Sequence, residues 1–369
     1  MNGDHHERPS ATTQLNELGF YALAGAPQSP AELLDEIATA EHLGLGSAFI
    51  SERFNIKEAV TLSGAAGAVS RTLGIATAAT NHNTRHPIVT ASYATTMHRL
   101  TGGRFTLGLG RGIAPLFDAY GIPRITTAQL EDFVAIVRRL FRGEVVFGHD
   151  GPAGSYPLLH LDAAFDEDIP VGFTAFGPNS LALGGRVMDM VVLHTFFTDE
   201  TVERCVRTIR DGAAEAGRDP DAVRIWSCYA TVHDDLPEPL RLKKTVGRLA
   251  TYLQGYGDLL VETNRWDPAI LERFRADPRV SSFPGAIDAK ADTETLEHVA
   301  TLLPDEWLEP AATGSPERCA QRALRQFDLG VDGVILHGAT PTELGPVVTA
   351  YRALRPAHRF DALDPNPGR

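Results

Sequence analysis

The sequence predicts an α/β fold, a (β/α)8 TIM barrel in which parallel strands alternate with helices around a closed ring. Eight short apolar runs typical of buried strands alternate with stretches that have helical character. A helix–turn–strand unit also occurs near both ends, at 29–50 and 315–336, and both copies open with Ser-Pro and carry Leu-Gly at the same offset. Such units are what a parallel α/β fold requires, and eight strands match a barrel better than a doubly wound sheet.

The predicted strands are the short apolar runs, and the predicted helices separate them. The strands cover Leu18–Ala22, Ala48–Ser51, Leu73–Ala79, Arg104–Gly110, Val171–Ala175, Met190–His194, Val223–Val232 and Val334–His337. The helices cover 30–43, 58–70, 87–100, 126–142, 178–187, 199–216 and 316–329.

The first repeated unit shows how the sequence sets the limits of a helix. Ser29 can cap the first free N–H groups, Pro30 stands where its missing N–H costs nothing, and Glu32 completes a capping box. Gly44 then supplies the left-handed turn that ends the helix. The same capping signature at 340–343 predicts that another helix begins near the end of the chain.

Two segments exceed what a barrel needs. Residues 143–169 are expected to form a hairpin-like excursion, and residues 234–312, rich in charge and proline, an inserted helical lid or wall before the last helix–strand unit. We expect one barrel domain over 16–357, with tails at 1–15 and 358–369.

Composition narrows the function classes. Among 369 residues, 34 Lys and Arg stand against 47 Asp and Glu, and the net charge of −13 argues against a nucleic-acid partner. The three cysteines, Cys205, Cys228 and Cys319, form no C-x-x-C pair, which argues against disulfides or a zinc cluster and fits a reducing cytoplasm. No signal peptide or apolar run of about 18 residues is evident, so we expect a soluble protein without a membrane partner.

The glycines at 108–112 do not form a dinucleotide-binding motif. The third glycine comes one residue early for G-x-G-x-x-G, and Ile113-Ala114-Pro115 follows where a helix should open. A ligand or a neighbouring backbone that approaches closely explains these glycines better. Motifs of metalloproteases, serine hydrolases and P-loop proteins are also missing, and the histidines near strand ends have few carboxylates beside them, so a metal-dependent hydrolase is disfavoured.

The stretch LGIATAATNHNTRHPIVTASYATTMHRLTGGRFTLGLGRG at 73–112 resembles the bacterial luciferase-like family of flavin and deazaflavin oxidoreductases. Agreement continues through 175–194 and 330–338, and Thr-Arg-His-Pro at 84–87 followed by Thr-Gly-Gly-Arg-Phe at 101–105 is specific in combination. Within the family the chain is similar to members that use coenzyme F420, a deazaflavin. The resemblance implies hydride transfer between F420 and an organic small molecule, in a homodimer. The alternatives are an FMN-dependent monooxygenase and a non-catalytic cofactor-binding protein.

A deazaflavin needs an apolar slot at the barrel mouth and N–H groups around its phosphate. In the family, the end of the third strand carries a bulge with a non-prolyl cis peptide behind the ring, although small residues also fill narrow barrel layers. The Gly-Pro-Asn-Ser at 177–180 opens a helix and suits a phosphate, or is an ordinary capped helix. The candidate cofactor-binding residues are Glu52, Thr77, Ala78, Ala79, Asn81, Gly110, Arg111, Gly112, Ala175, Phe176, Gly177, Pro178 and Asn179.

The candidate catalytic residues are Arg53, His194 and His337, and we predict no metal site. Dehydrogenases of the family show Ser-Asp-His-Phe where this chain has Ser-Glu-Arg-Phe at 51–54, and they carry an acid where this chain has Ile113. Both departures weaken a transfer of alcohol or sugar-phosphate dehydrogenation. Arg53 is expected either to bind an anionic or carbonyl oxygen or to pair with Glu52.

Several other polar residues have two interpretations. The histidines at strand ends, His233 included, are either proton carriers or hydrogen-bonded structural residues. The insertion is basic near its start, and these side chains can meet the acidic tail of F420 or form a solvated helix face. They are Arg241, Lys243, Lys244 and Arg248.

Overall fold

The computed structural model describes residues 13–25, 27–54 and 57–369. Its strands are β1 (Leu15–Tyr21), β2 (Leu45–Ile50), β3 (Gly74–Thr77), β4 (Phe105–Leu109), β5 (Val146–Gly151), β6 (Gly154–Leu159), β7 (Val171–Thr174), β8 (Met190–Val192), β9 (Arg224–His233), β10 (Ala312–Gly314) and β11 (Gly333–His337). The N-terminal tail predicted for 1–15 lies, up to residue 12, outside the described residues.

Helices separate and follow these strands. They are α1 (Glu32–Leu43), α2 (Ala59–Val69), α3 (Pro87–Leu100), α4 (Ala114–Tyr120), α5 (Thr127–Phe141), α6 (Pro178–Val187), α7 (Asp199–Glu215), α8 (Glu238–Leu242), α9 (Arg248–Asn264), α10 (Pro268–Ala276), α11 (Pro278–Ser281), α12 (Ile287–Lys290), α13 (Thr293–Ala300), α14 (Asp305–Leu308), α15 (Pro316–Asp328) and α16 (Pro341–Leu354). A π-helical turn at Lys243–Gly247 joins α8 to α9, and 3₁₀ turns lie at Pro220–Ala222 and Ala357–Arg359.

Eight parallel strands close into a ring, which confirms the predicted barrel. The ring order is β1-β2-β3-β4-β7-β8-β9-β11, and β11 pairs with β1 to close it. β10 pairs with β9 beside the ring. All predicted strands and helices are present and differ from the observed bounds by a few residues at most. No helix within the described ranges is long and apolar enough to cross a membrane.

The two insertions have the expected character. Residues 143–169 contain the antiparallel hairpin of β5 and β6. Residues 234–312 contain the seven helices α8–α14 and also begin the short strand β10, which the sequence did not predict. A three-residue strand is too short to show an apolar pattern of its own.

Caps at the helix ends follow the sequence with one displacement. α16 has the full predicted capping box between Thr340 and Glu343. α1 begins at Glu32, later than predicted. The predicted capping residues still bond to each other's region: the Ser29 hydroxyl accepts from the Ala31 N–H, and the Glu32 carboxylate accepts from the Ser29 N–H. Both bonds therefore lie in the turn that precedes the helix. Gly44 ends the helix with a left-handed φ of 69°.

Aromatic side chains fill the middle of the barrel. The rings of Phe49 and Trp226 meet edge to face, with centroids 4.9 Å apart. Glycines on neighbouring strands make room for them: a Cβ at Gly19 would lie 2.5 Å from the Phe49 ring and one at Gly333 2.4 Å from Trp226. The centre of the barrel is therefore a packed layer of side chains.

The C-terminal segment closes the amino-terminal end of the barrel, which we call the floor. Residues 358–369 were expected to form a tail, but Asn366 is 1% exposed and its amide donates to the Phe105 carbonyl at 3.0 Å. The Trp226 indole donates to the Pro367 carbonyl at 2.8 Å, and Arg224 donates to the Asn366 carbonyl at 2.8 Å. The expected tail is thus a packed part of the fold.

Candidate active site

The carboxyl ends of the barrel strands form the opposite opening, which we call the mouth. Tyr21 ends β1, His337 ends β11, and Arg53 and His194 follow β2 and β8. Helix α9 of the insertion approaches from above, because its Tyr256 contacts His194. In TIM barrels this end carries the active site. The fold therefore brings all three predicted catalytic residues to one opening.

The β3 end forms a bulge that faces the mouth. The Ala78–Ala79 peptide is cis, as the family resemblance implies. The Ala78 N–H donates to the Ile50 carbonyl at 2.8 Å, and the Ala79 carbonyl accepts from the Glu52 N–H at 3.0 Å. Thr77 and Ala78 are buried, whereas Ala79 keeps accessible surface. Of these residues, Ala79 is the one placed to touch a bound ring.

Glu52 supports this bulge from behind. Its side chain is 4% exposed and accepts from the Thr80 hydroxyl and from Arg85, both at 3.0 Å. It also accepts from the Ala59 N–H at 3.1 Å. The described contacts of this carboxylate thus join the bulge to the start of α2 and to Arg85.

Arg53 does not pair with Glu52, so the ion-pair interpretation of this residue is wrong. Its guanidinium donates to the Gly25 carbonyl at 3.0 Å and forms no ion pair with any residue in the described ranges. Desolvation, followed by the charge of Arg248, lowers the pKa of Arg53. Glu52 is already occupied by Arg85, which leaves Arg53 with spare donors at the mouth.

The glycines after β4 are required by neighbouring side chains. A Cβ at Gly110 would lie 2.7 Å from the Thr174 hydroxyl, and Gly112 has a φ of +70° against the Phe117 ring. Arg111 between them donates to the Thr127 hydroxyl at 2.6 Å, and its Nε is buried without a partner among the described residues. Arg111 is thus the residue of this turn with capacity for a ligand.

The turn from β7 into α6 is open and offers a free amide. A Cβ at Gly177 would meet only the Leu259 side chain, at 4.0 Å. No side chain caps α6, and the Asn179 N–H has no acceptor in the described part of the chain. Ala175 is buried under the turn and Pro178 occupies the first helical turn. An anionic group fits here, because helix N-termini present unsatisfied N–H groups and a positive dipole end.

His194 lies in an aromatic cluster formed with the insertion. Its ring centroid is 4.5 Å from that of Phe176, 4.8 Å from Tyr252 and 5.2 Å from Tyr256. Its Nδ1 is 2.8 Å from the Thr195 carbonyl, so Nδ1 carries the hydrogen and Nε2 accepts from the Tyr256 hydroxyl at 2.9 Å. Desolvation lowers the pKa of His194 to about 4. His194 is therefore a neutral hydrogen-bond acceptor at neutral pH.

His337 lies beside a group of cations. Its ring meets Tyr21 edge-on at 5.4 Å, and its Nδ1 is buried without a partner in the described ranges. Desolvation, and then the charges of Arg248, Arg53 and Lys57, lower the pKa of His337. A neutral imidazole with a spare nitrogen can bind a substrate or cofactor atom.

Two other polar candidates are occupied by structural contacts. Asn81 accepts from the Thr84 hydroxyl at 2.5 Å within its own turn. His233 lies 2.8 Å from the Glu343 carbonyl, so its structural interpretation holds.

The basic residues of the insertion do not act as one face. Arg241 pairs with Asp234, and Lys244 pairs with Glu343. Arg248 instead turns inward, is 7% exposed and pairs with Asp288 at 2.7 Å.

The sequence did not identify Tyr21, Lys57, Tyr252 and Tyr256 as residues of the mouth. Tyr252 and Tyr256 lie four residues apart in the insertion, and their rings stack with centroids 5.5 Å apart. That spacing is the one signal that could have found them, although it is equally typical of a core-facing helix. At Tyr256 the backbone leaves helical geometry, with φ −157° and ψ 39°, which no sequence pattern indicated.

Comparison with solved structures supports the architecture. The coenzyme F420-dependent tetrahydromethanopterin reductase from Methanopyrus kandleri aligns with a TM-score of 0.77 and 19% identity, over 92% of this chain and 99% of that one. At this identity the likeness concerns the fold alone.

Comparison with other sequences identifies the family. A 5,10-methylenetetrahydromethanopterin reductase of Methanolobus tindarius is 28% identical over 304 residues, 80% of this chain and 86% of the relative. A phthiodiolone/phenolphthiodiolone dimycocerosates ketoreductase of Mycobacterium tuberculosis is 32% identical over 200 residues, 51% of this chain and 50% of the relative. The model of the luciferase-like monooxygenase family matches residues 10–333. The chain therefore belongs to the luciferase-like monooxygenase family.

Proposed function

We propose that this chain is an oxidoreductase that uses coenzyme F420 and transfers a hydride between the deazaflavin and an organic small molecule. The observation that carries the proposal is the pairing of an accessible Ala79 bulge with an open amide cradle at Gly177 and Asn179. A planar ring with an anionic arm needs both features at one barrel mouth. The names of the relatives, two of them methanopterin reductases, support the same assignment.

The chain's own residues divide the work of binding. Ala79 provides a flat backbone surface for the ring, and Glu52 holds that surface through Thr80. The amides at 177–179 and the guanidinium of Arg111 are placed for the anionic arm. When bound, F420 supplies the ring carbon that donates or accepts a hydride. Hydride transfer depends on stacking geometry more than on a nucleophile, so the mouth needs no catalytic triad.

The aromatic cluster around His194 excludes water and fixes one hydroxyl. Because His194 accepts from Tyr256, that hydroxyl is held over the mouth. Desolvation raises the pKa of Tyr256 well above its usual value, so the hydroxyl keeps its proton at neutral pH. Tyr256 therefore donates its hydrogen to His194 and offers its oxygen as an acceptor for a substrate O–H or N–H group.

Titration of the purified chain with each cofactor tests the proposal. We expect F420 fluorescence to report saturable binding, and FMN to bind at least about 10-fold more weakly. In Gly177→Asp the new carboxylate opposes the anionic arm, so F420 affinity falls about 10-fold or more. Gly177→Ala is the matched control, since a Cβ there meets only Leu259 and the φ of −88° suits alanine. Tighter binding of FMN, or equal F420 affinity in the Asp and Ala variants, would contradict the assignment.

We also propose that the protein acts as a cytoplasmic homodimer, as the family resemblance implies. Exposed apolar side chains on the β5–β6 hairpin, Phe147 and Leu158, are compatible with a contact to a second copy. Light scattering coupled to size-exclusion chromatography measures the mass directly. A monomeric mass across the micromolar range would rule the dimer out.

A further inference from the structure

Three cations converge on one side of the mouth. Arg53 follows β2, Lys57 precedes α2, and Arg248 begins α9. Desolvation, and then the charges of Arg53 and Arg248, lower the pKa of Lys57 to about 7 although the charge of Glu36 opposes the shift. The backbones of Arg53 and Lys57 also pair with each other, with N–H to carbonyl distances of 3.0 and 2.7 Å, and both side chains donate to carbonyls of the segment that follows β1. Cations that gather there without enough counter-charge raise the free energy of the empty site.

The three cations differ in the acceptors and counter-charges that they contact. Arg248 has Asp288 at 2.7 Å. The Lys57 ammonium donates to the carbonyls of Ala22 and Leu23, both at 2.9 Å. Arg53 has one carbonyl and no carboxylate within the described residues, although a guanidinium offers five N–H donors. An anion beside Arg53 would give this guanidinium the counter-charge that it lacks among the described residues.

Two buried atoms next to this cluster also lack partners. The Nε of Arg248 and the Nδ1 of His337 make no hydrogen bond to any residue in the described ranges. Buried polar atoms of native proteins are normally satisfied, so such atoms mark a position that a ligand or ordered water fills. Tyr21 and Tyr252 border the same space, at 5.4 Å from His337 and 5.8 Å from the Arg248 guanidinium. The space is thus cationic with aromatic walls.

The cluster lies apart from the cradle for the cofactor's anionic arm. The cradle follows β7 and Arg53 follows β2, and the strands β3 and β4 separate them in the ring. One end of the mouth therefore suits the arm, and the other end suits a second anionic group. Guanidinium groups bind carboxylates through two parallel hydrogen bonds, which fixes the orientation of the bound molecule.

We propose that the organic substrate carries a carboxylate or another oxyanion, and that Arg53, backed by Arg248 and His337, binds it against the aromatic walls. That the bound anion is the substrate rests on the proposed function, whereas the anion site itself is independent of the redox chemistry. Arg53 is a specificity-determining residue on this account, because it selects anionic over neutral molecules of the same shape.

Calorimetric titration of the full chain with benzoate tests the site, with benzamide as a neutral molecule of matching shape. We expect benzoate to bind at least 10-fold more tightly than benzamide, and Arg53→Gln to remove that preference. Arg53→Lys should keep part of it, since the charge stays and the fork is lost. Arg124→Gln is the matched control: Arg124 pairs with Asp118 on the exposed surface and should leave benzoate binding unchanged. Equal binding of benzoate to wild type and Arg53→Gln would overturn the proposal.

The same titration with F420 present separates this proposal from the proposed function. Benzoate that still binds to the F420-saturated chain supports a substrate site, and F420 affinity unchanged by Arg53→Gln supports it further. If F420 displaces benzoate, the cations serve the cofactor's own acidic arm and the inference is wrong. If F420 fails to bind while benzoate shows the Arg53-dependent preference, the proposed function fails and the anion site stands.

Discussion

The floor of the barrel buries one arginine and the mouth half-buries another, and the two charges have opposite surroundings. At the floor, Arg224 is 5% exposed and donates to four carbonyls, those of Asn16, Asp364, Asn366 and Arg369, at 2.6–3.1 Å. At the mouth, Arg53 donates to one carbonyl. A charge that is surrounded by acceptors fastens chain segments together, whereas a charge with few acceptors keeps the capacity to bind a ligand. The difference assigns stability to the floor and binding to the mouth.

Removing the floor arginine should have the largest effect on stability. Arg224→Met removes the guanidinium that lies over Trp226 and leaves four backbone carbonyls, the buried one of Asn366 among them, without this donor. We expect the free energy of unfolding to fall by about 3–5 kcal/mol, measured by urea denaturation. If the free energy of unfolding falls by less than about 1 kcal/mol, Arg224 does not stabilise the floor in the way proposed.

The second prediction concerns the protonation of His194 at the mouth. With a pKa of about 4, His194 should remain neutral down to pH 5, with the hydrogen on Nδ1. Two-dimensional ¹⁵N NMR of the imidazole reports both properties. Tyr256→Phe removes the donor to Nε2 and keeps the Thr195 acceptor, so the tautomer should not change. A titration of His194 between pH 6 and 7 would show that the cluster is open to solvent.

Glu36 should make the mouth sensitive to pH in a way that the floor is not. Its carboxylate accepts from the Leu23 N–H at 2.7 Å, and burial raises its pKa from 4.5 to about 7 although this bond and Lys57 oppose the shift. A raised folded-state pKa gives stability that is complete below pH 4.5 and is lost as pH rises through 7.

Glu36→Gln keeps the acceptor and removes this titration. Between pH 4.5 and 8, wild type should lose on the order of 2 kcal/mol of unfolding free energy relative to the variant. Urea denaturation of both proteins at several pH values measures the difference. Parallel stability–pH curves would exclude Glu36 as the source.

Substitution of Arg53 at the mouth should have the smallest effect on stability. Arg53→Met removes one hydrogen bond, to Gly25, and also relieves repulsion from Arg248. We expect the free energy of unfolding to change by less than about 1 kcal/mol, in contrast to the same substitution at Arg224. A loss as large as that of Arg224→Met would make Arg53 a structural residue.

Sequence patterns predicted the barrel because each of its strands and helices carries a local signal. The apolar runs, the capping box at Thr340 and the glycine at 44 act within a few residues. The small residues at 77–79 pointed to the bulge only with the help of the family resemblance, since small side chains also fill barrel layers.

The errors concern contacts between distant parts of the chain. Residues 358–369 have the composition of a loose tail, and their order comes from Arg224 and Trp226, about 140 positions away. The sequence could not decide whether Arg53 pairs with Glu52, because the residue that binds Glu52 is Arg85, which lies 33 residues further along the chain. The tyrosines of α9 were missed because their direction depends on how the insertion packs over the barrel.

A crystal structure of the chain with bound F420 tests the central claim most directly. The account predicts the deazaflavin ring against Ala79, its anionic arm at the amides of 177–179, and the guanidinium of Arg53 free of contact with the cofactor. A ring bound elsewhere, or an arm that runs to Arg53, would contradict the division of the mouth into a cofactor side and a substrate side.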